Sequence, residues 1–169
     1  MGLREVKSEL NKLDKKELIK HISELYKKYK PIKEYFDFYV NPDEKKLLQQ
    51  YKEKVTEGFF RKRGYQFKLS ISRKAINDFK KLETSVESVA DLLLHFVESG
   101  VELTNQYGDI GENFYTSLEN TYSNALDLID KNGLLDKFED RANKIVVDTE
   151  NIGWGFHDYL GDVYYQHYE

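Results

Sequence analysis

Residues Ser85 to Gly108 read SVESVADLLLHFVESGVELTNQYG, and their spacing decides the fold. Val86, Val89, Ala90, Leu93, Phe96, Val97, Val101 and Thr104 recur every three or four positions, which places them on one broad apolar helix face. Leu92, Leu94 and Leu103 widen that face until a narrow polar stripe remains. The stripe is Glu87, Asp91, His95, Glu98, Glu102 and Gln106, stacked by the same spacing. A helix apolar over most of its circumference is enclosed by neighbours, so the rest of the chain is expected to pack around this one. Thr84 or Ser85 caps its start, and Gly108 suits its C-terminal cap.

The flanking sequence is helical in the same sense. Asp14 with Glu17 forms a capping-box pattern, followed by Leu18, Ile22, Leu25, Tyr26 and Tyr29 on one face. A shorter amphipathic piece, Leu3 to Leu13, precedes it, and Pro31 suits the first turn of the next helix, IKEYFDFYV. Asn41 as N-cap, Pro42 at the first position and two acids after it predict a helix from there to about Phe60. Residues 61–71, RKRGYQFKLSI, lose the helical period and read as the longest loop, with Lys68–Ile71 the one short strand candidate. Ser72 is then expected to cap a helix through Phe79 and Leu82. Beyond Gly108, Asp109 and Glu112 form another capping pattern before a helix that Asn132-Gly133 ends. Phe138, Ala142, Ile145 and Val146 mark a further helix, and Ile152–Gly155 a tight turn before the last one. The expected fold is all-α, with seven to nine antiparallel helices in one compact helical domain, either a bundle or a short stack of helical hairpins.

Charge divides the chain. Residues 1–82 carry 22 Lys/Arg against 12 Asp/Glu, a net of +10, whereas residues 83–169 carry 4 against 18, a net of −14. One domain of 169 residues is expected, in two lobes if this boundary is structural: a basic helical half, 1–82, and an acidic four-helix half, 83–169. With no cysteine, the chain has no disulfide, thiolate metal site or cysteine nucleophile. No apolar run approaches a membrane span, and MGLREVKSEL lacks the apolar core of a signal peptide. The expectation is a cytoplasmic protein without a membrane partner.

The run LDKKELIKHISELYKKYKPIKEYFDFY, the following NPDEKKLLQQY, and the later VADLLLHFVESGVELTNQYGDI, KNGLLDKF and GWGFHDYLGDVYY resemble an uncharacterised family of small bacterial proteins. The resemblance covers nearly the whole chain. It implies a helical domain of unknown function and carries over no catalytic residue.

Three chemistries are weighed against plain structure. Asp91, His95, Glu98 and Glu102 present imidazole and carboxylates along one helix edge, raw material for a di-metal carboxylate bundle. Such bundles use Glu-x-x-His on two helices; here the order is His-x-x-Glu and occurs once, so a solvated edge or an ion-paired helix contact is favoured. In GWGFHDYLGD, residues 153–162, His157 stands near Asp158 and Asp162 and could pair with a carboxylate as acid or base. The structural alternative has Trp154 plugging the core end while His157 bonds a neighbouring loop. A metal-dependent or acid–base enzyme would use His95, His157, Asp158 and Asp162, with Glu98 a further candidate, and would need His95 and His157 to converge. Residues 61–74 interleave Arg61, Lys62, Arg63, Lys68, Arg73 and Lys74 with Tyr65 and Phe67, the pattern by which single strands of nucleic acid are held. The acidic whole disfavours nucleic acid as a partner. No phosphate loop, zinc-protease or nucleophile-elbow motif occurs. The leading expectation is a non-enzymatic protein-interaction module, without cofactor or metal, that binds another protein or itself through tyrosine-rich helices.

Overall fold

Pro31 has no amide hydrogen to give the carbonyl four residues back, and its ring crowds that carbonyl, so a helix through it must break. The break falls at Tyr29, whose extended backbone (φ −121°, ψ 113°) ends one helix and caps the next. In the computed structural model, which describes residues 2–61 and 66–168, such breaks delimit nine helices among those residues and no strand. They are α1 (Leu3–Leu10), α2 (Lys15–Lys28), α3 (Lys30–Val40), α4 (Glu44–Phe59), α5 (Leu69–Lys80), α6 (Val86–Tyr107), α7 (Glu112–Lys131), α8 (Leu135–Val147) and α9 (Phe156–His167). The all-α expectation therefore holds. The helices group into two compact units, Met1–Asp43 and Glu44–Glu169. The charge boundary near residue 82 lies inside the second unit.

In the first unit, the Asp14–Glu17 capping box forms as expected. The Glu17 amide donates to Asp14 Oδ1 at 2.8 Å and the Asp14 amide to Glu17 Oε2 at 2.9 Å. Helices α2 and α3 pair as a hairpin. Tyr26 Oη donates to Asp37 Oδ1 at 2.6 Å, and Lys33 Nζ reaches Asp37 Oδ2 at 2.6 Å. None of the residues of α1, α2 or α3 is buried.

The second unit is built around α6, which packs against α4, α5, α7 and α8. Ser85 caps it, accepting from the Ser88 amide at 3.1 Å, and Gly108 (φ 86°) ends it. Eleven of its 22 residues are buried, Leu92, Leu94, Phe96 and Val97 almost completely. Two glycines set how closely its neighbours approach. A Cβ at Gly100 would stand 2.5 Å from Leu118 Cδ2 on α7, and one at Gly58 of α4 would stand 2.0 Å from Ser72 Oγ on α5.

Four local expectations change. Helix α5 begins at Leu69, so residues 69–71 are neither loop nor strand, and Ser72 is no cap. It is fully buried and donates to the Val55 carbonyl at 2.6 Å. The approach of α5 over Gly58 overrides the weak local propensity of Leu-Ser-Ile. Asn41 closes α3 rather than opening α4, which starts at Glu44. Gly111, not Asp109, occupies the N-cap of α7, because Asp109 is engaged elsewhere. Trp154 does not plug the core; it is 62% exposed.

Candidate functional site

A carboxylate that leaves water must find a cation or several donors, so the stripe on α6 shows where polar chemistry is concentrated. Neighbouring helices supply the partners. Asp91 Oδ1 lies 2.5 Å from Lys52 Nζ on α4 and 2.9 Å from Arg141 Nη1 on α8. Glu98 takes Arg141 as a fork: Nε donates to Oε1 at 2.6 Å and Nη2 to Oε2 at 2.8 Å. Arg141 also donates to the Asp91 carbonyl at 3.2 Å. One turn earlier, Glu87 pairs with Lys137 at 2.7 Å, and one turn later Gln106 donates to Glu102 at 2.9 Å. The stripe is thus an ion-paired contact joining α4, α6 and α8, one of the two arrangements expected for it.

His95 sits in this seam. Its Nε2 is 2.8 Å from Thr56 Oγ1 on α4, and its Nδ1 is 3.7 Å from Glu98 Oε2. Burial pushes the Glu98 carboxyl up, but the hydrogen bonds from Arg141, with the His95 ring close by, outweigh it and hold the group at about 2. Arg141 is held above its ordinary value: burial alone would lower it, and the Glu98 and Asp91 carboxylates more than compensate. Glu98 is therefore a fixed anion at neutral pH, suited to orienting Arg141 and His95 rather than to giving up a proton. Beyond it, Glu98, Val101, Glu102, Asn105, Gln106, Ile145 and Asp148 line an open groove of about 330 Å³ between α6 and α8.

The second candidate cluster is placed elsewhere. His157 Nδ1 lies 2.9 Å from Thr149 Oγ1 and 3.1 Å from the Val146 carbonyl, at the end of α8. Thr149 spends its hydroxyl hydrogen on Val146 O at 2.6 Å, so the network assigns the proton between ring and threonine to Nδ1. Asp158 and Asp162 are exposed. The described partners of His157 include no carboxylate, and His95 and His157 share none. Among the described residues no group of three or more His, Asp and Glu side chains could hold a metal ion.

The basic–aromatic segment 61–74 is described only in part; Lys62, Arg63 and Tyr65 lie outside the described residues. Arg73 donates to Ser117 Oγ at 2.7 Å, Lys74 pairs with Asp78, and Phe67 packs its ring on Phe114 at 5.0 Å. Part of that segment therefore serves contacts within the chain.

Arg141, Lys52, Thr56 and Thr149 carry the geometry, and sequence reasoning passed over all four. Arg141 had a signal: it is the one arginine in residues 83–169, amid 18 acids. Lys52 and Thr56 had none, because each is an ordinary surface residue type whose partner is distant in sequence, and Thr149 had none because nothing in its type marks it as the partner of His157 eight residues on.

No helix of the described residues is long and apolar enough to cross a membrane. No curated protein and no solved structure matches the chain. Residues 1–167 match a family of unknown function (DUF6155), in keeping with the resemblance carried by segments along nearly the whole chain, and the chain belongs to that family.

Proposed function

We propose that this protein is a non-enzymatic, cytoplasmic interaction module that self-associates through its N-terminal helical hairpin. One observation carries the reading: helices α1–α3 are amphipathic, yet none of their residues is buried. This unit has 43 residues, close to the limit of about 40 below which a chain rarely buries enough surface to hold itself folded. Its apolar side chains are correspondingly open: Ile19 is 55% exposed, Tyr39 73% and Val40 80%. Between α2 and α3, Ile22, Tyr26, Phe36 and Val40 line a groove of about 670 Å³, with Ser23, Lys27, Asp37 and Asn41 at its edges. Grooves of this shape receive amphipathic helices.

The charge of the unit supports a second copy as the occupant. Its 10 basic and 8 acidic residues are interspersed, so two copies meet across a two-fold axis with little net repulsion. Tyr26, Tyr29, Tyr35 and Tyr39 supply the aromatic content typical of interfaces. Sedimentation of the full chain over a wide concentration range tests the reading. A dimer is expected, and Ile22→Glu or Val40→Glu should return it to monomer with the helices of the second unit, α4 to α9, retained. A wild-type chain that stays monomeric throughout would contradict it.

A further inference from the structure

Trp154 is the one tryptophan of the chain, and it stands out from the second unit in a conformation that L-residues avoid. Its φ is +64°, in the left-handed region, and its side chain is 62% exposed. A large side chain in that region carries a conformational cost, and an exposed one recovers none of it by burial. The turn is nevertheless anchored on every side. Ile152 and Phe156, two residues to either side, are buried, at 7% and 0% exposure. The Ile152 amide donates to the Thr149 carbonyl at 2.8 Å. The Gly153 amide donates to Asp109 Oδ1 at 3.4 Å, and a Cβ at Gly153 would meet Asp109 Oδ2 at 2.8 Å. Asp109 is steadied in turn by Tyr115 Oη at 3.1 Å. Two exposed rings flank this buckle in sequence: Trp154 follows Gly153, and Tyr107, 74% exposed, precedes Asp109 by two residues.

The segments that build the buckle, residues 107–115 and 150–162, carry carboxylates and neither Lys nor Arg. No Lys or Arg occurs between Lys81 and Lys131, or after Lys144. Asp109, Glu150, Asp158 and Asp162 are all exposed. An exposed indole on a segment that carries carboxylates and no cation is complementary to a guanidinium, which stacks on the ring face while its edges donate to acids. Tryptophan at such a position also supplies the contact area typical of binding hot spots.

We infer that the Trp154 turn is a docking platform for an arginine-rich segment of a partner protein, with Trp154 as the stacking surface and Asp109, Asp158 and Asp162 as the anionic surround. This surface lies within the second unit and stands independently of self-association through the N-terminal hairpin. Because Trp154 is the only indole, its fluorescence reports the site directly. The full chain is titrated with a short oligo-arginine peptide, with oligo-lysine and oligo-glutamate peptides as comparisons. The expected result is a saturable change in indole emission with the arginine peptide, weaker with lysine, absent with glutamate, and reduced by salt. Labelled arginine peptide should bind Trp154→Ala about tenfold more weakly. Asp158→Asn and Asp162→Asn together should weaken binding while leaving the melting temperature unchanged. An unmoved emission spectrum, or equal peptide affinity for wild type and Trp154→Ala, overturns the inference. Trp154→Gly separates recognition from folding: it should melt higher than wild type and still lose the peptide, whereas a lower melting point would make the tryptophan structural and overturn the inference.

Discussion

At Glu98 a single proton is coupled to the joint between three helices. The folded carboxyl is held at about 2 against an ordinary 4.5, because the Arg141 fork and His95 outweigh its burial. A depressed folded pKa contributes stability above the ordinary value, and that contribution is lost as pH falls from about 4.5 towards 2. With Glu98 about a third exposed, solvent screening reduces the contribution to about 1–2 kcal/mol. Thermal unfolding of wild type should therefore weaken over that acid window, and Glu98→Gln should be less stable at neutral pH with a flatter acid slope. Identical slopes would remove the role assigned to the fork. Trp154 gives the opposite kind of prediction. Relieving its left-handed backbone with glycine should raise stability by about 1 kcal/mol, read by denaturant unfolding. The Glu98 and His95 candidates were legible from spacing alone; Arg141, which fixes what they do, sits 43 residues from Glu98 and became visible only in three dimensions.

Among the elements, α6 was the most legible, because its apolar period repeats over six turns and nothing local competes with it. Its bounds, Val86–Tyr107 between Ser85 and Gly108, are those its caps foretold. Helix α5 was misread at its start for the opposite reason. Leu69-Ser70-Ile71 has no strong preference, and the contact of Ser72 with the Val55 carbonyl over Gly58 decides its conformation. Close crossings of this kind are testable. Gly100→Ala gains up to about 1 kcal/mol of helix propensity. That gain is set against a Cβ only 2.5 Å from Leu118, and overpacking costs about 1–3 kcal/mol. The clash should win, giving a net loss in denaturant unfolding, and Leu118→Ala should rescue part of it. An unchanged or raised stability would mean that α6 and α7 do not cross as described.

Over the whole molecule, composition announced helices and a charge asymmetry, yet the compact units divide at residue 43 rather than near 82. Charge counts residues, whereas a unit is defined by what its side chains touch, and the basic surplus is spread across that boundary. Two kinds of association are proposed for the two units, and salt distinguishes them. An apolar hairpin contact should persist at high ionic strength, while peptide docking at Trp154 should fade. Sedimentation and indole titration over the same salt series check both; a dimer that dissociates with salt would shift the self-association to electrostatics. The central claim, that residues 1–43 complete their core on a second copy, is tested most directly by amide hydrogen exchange along α2 and α3 as a function of protein concentration. Protection in Lys15–Val40 should rise with concentration and vanish in Val40→Glu, with α6 unaffected. Protection that is already high in dilute protein and independent of concentration would contradict it.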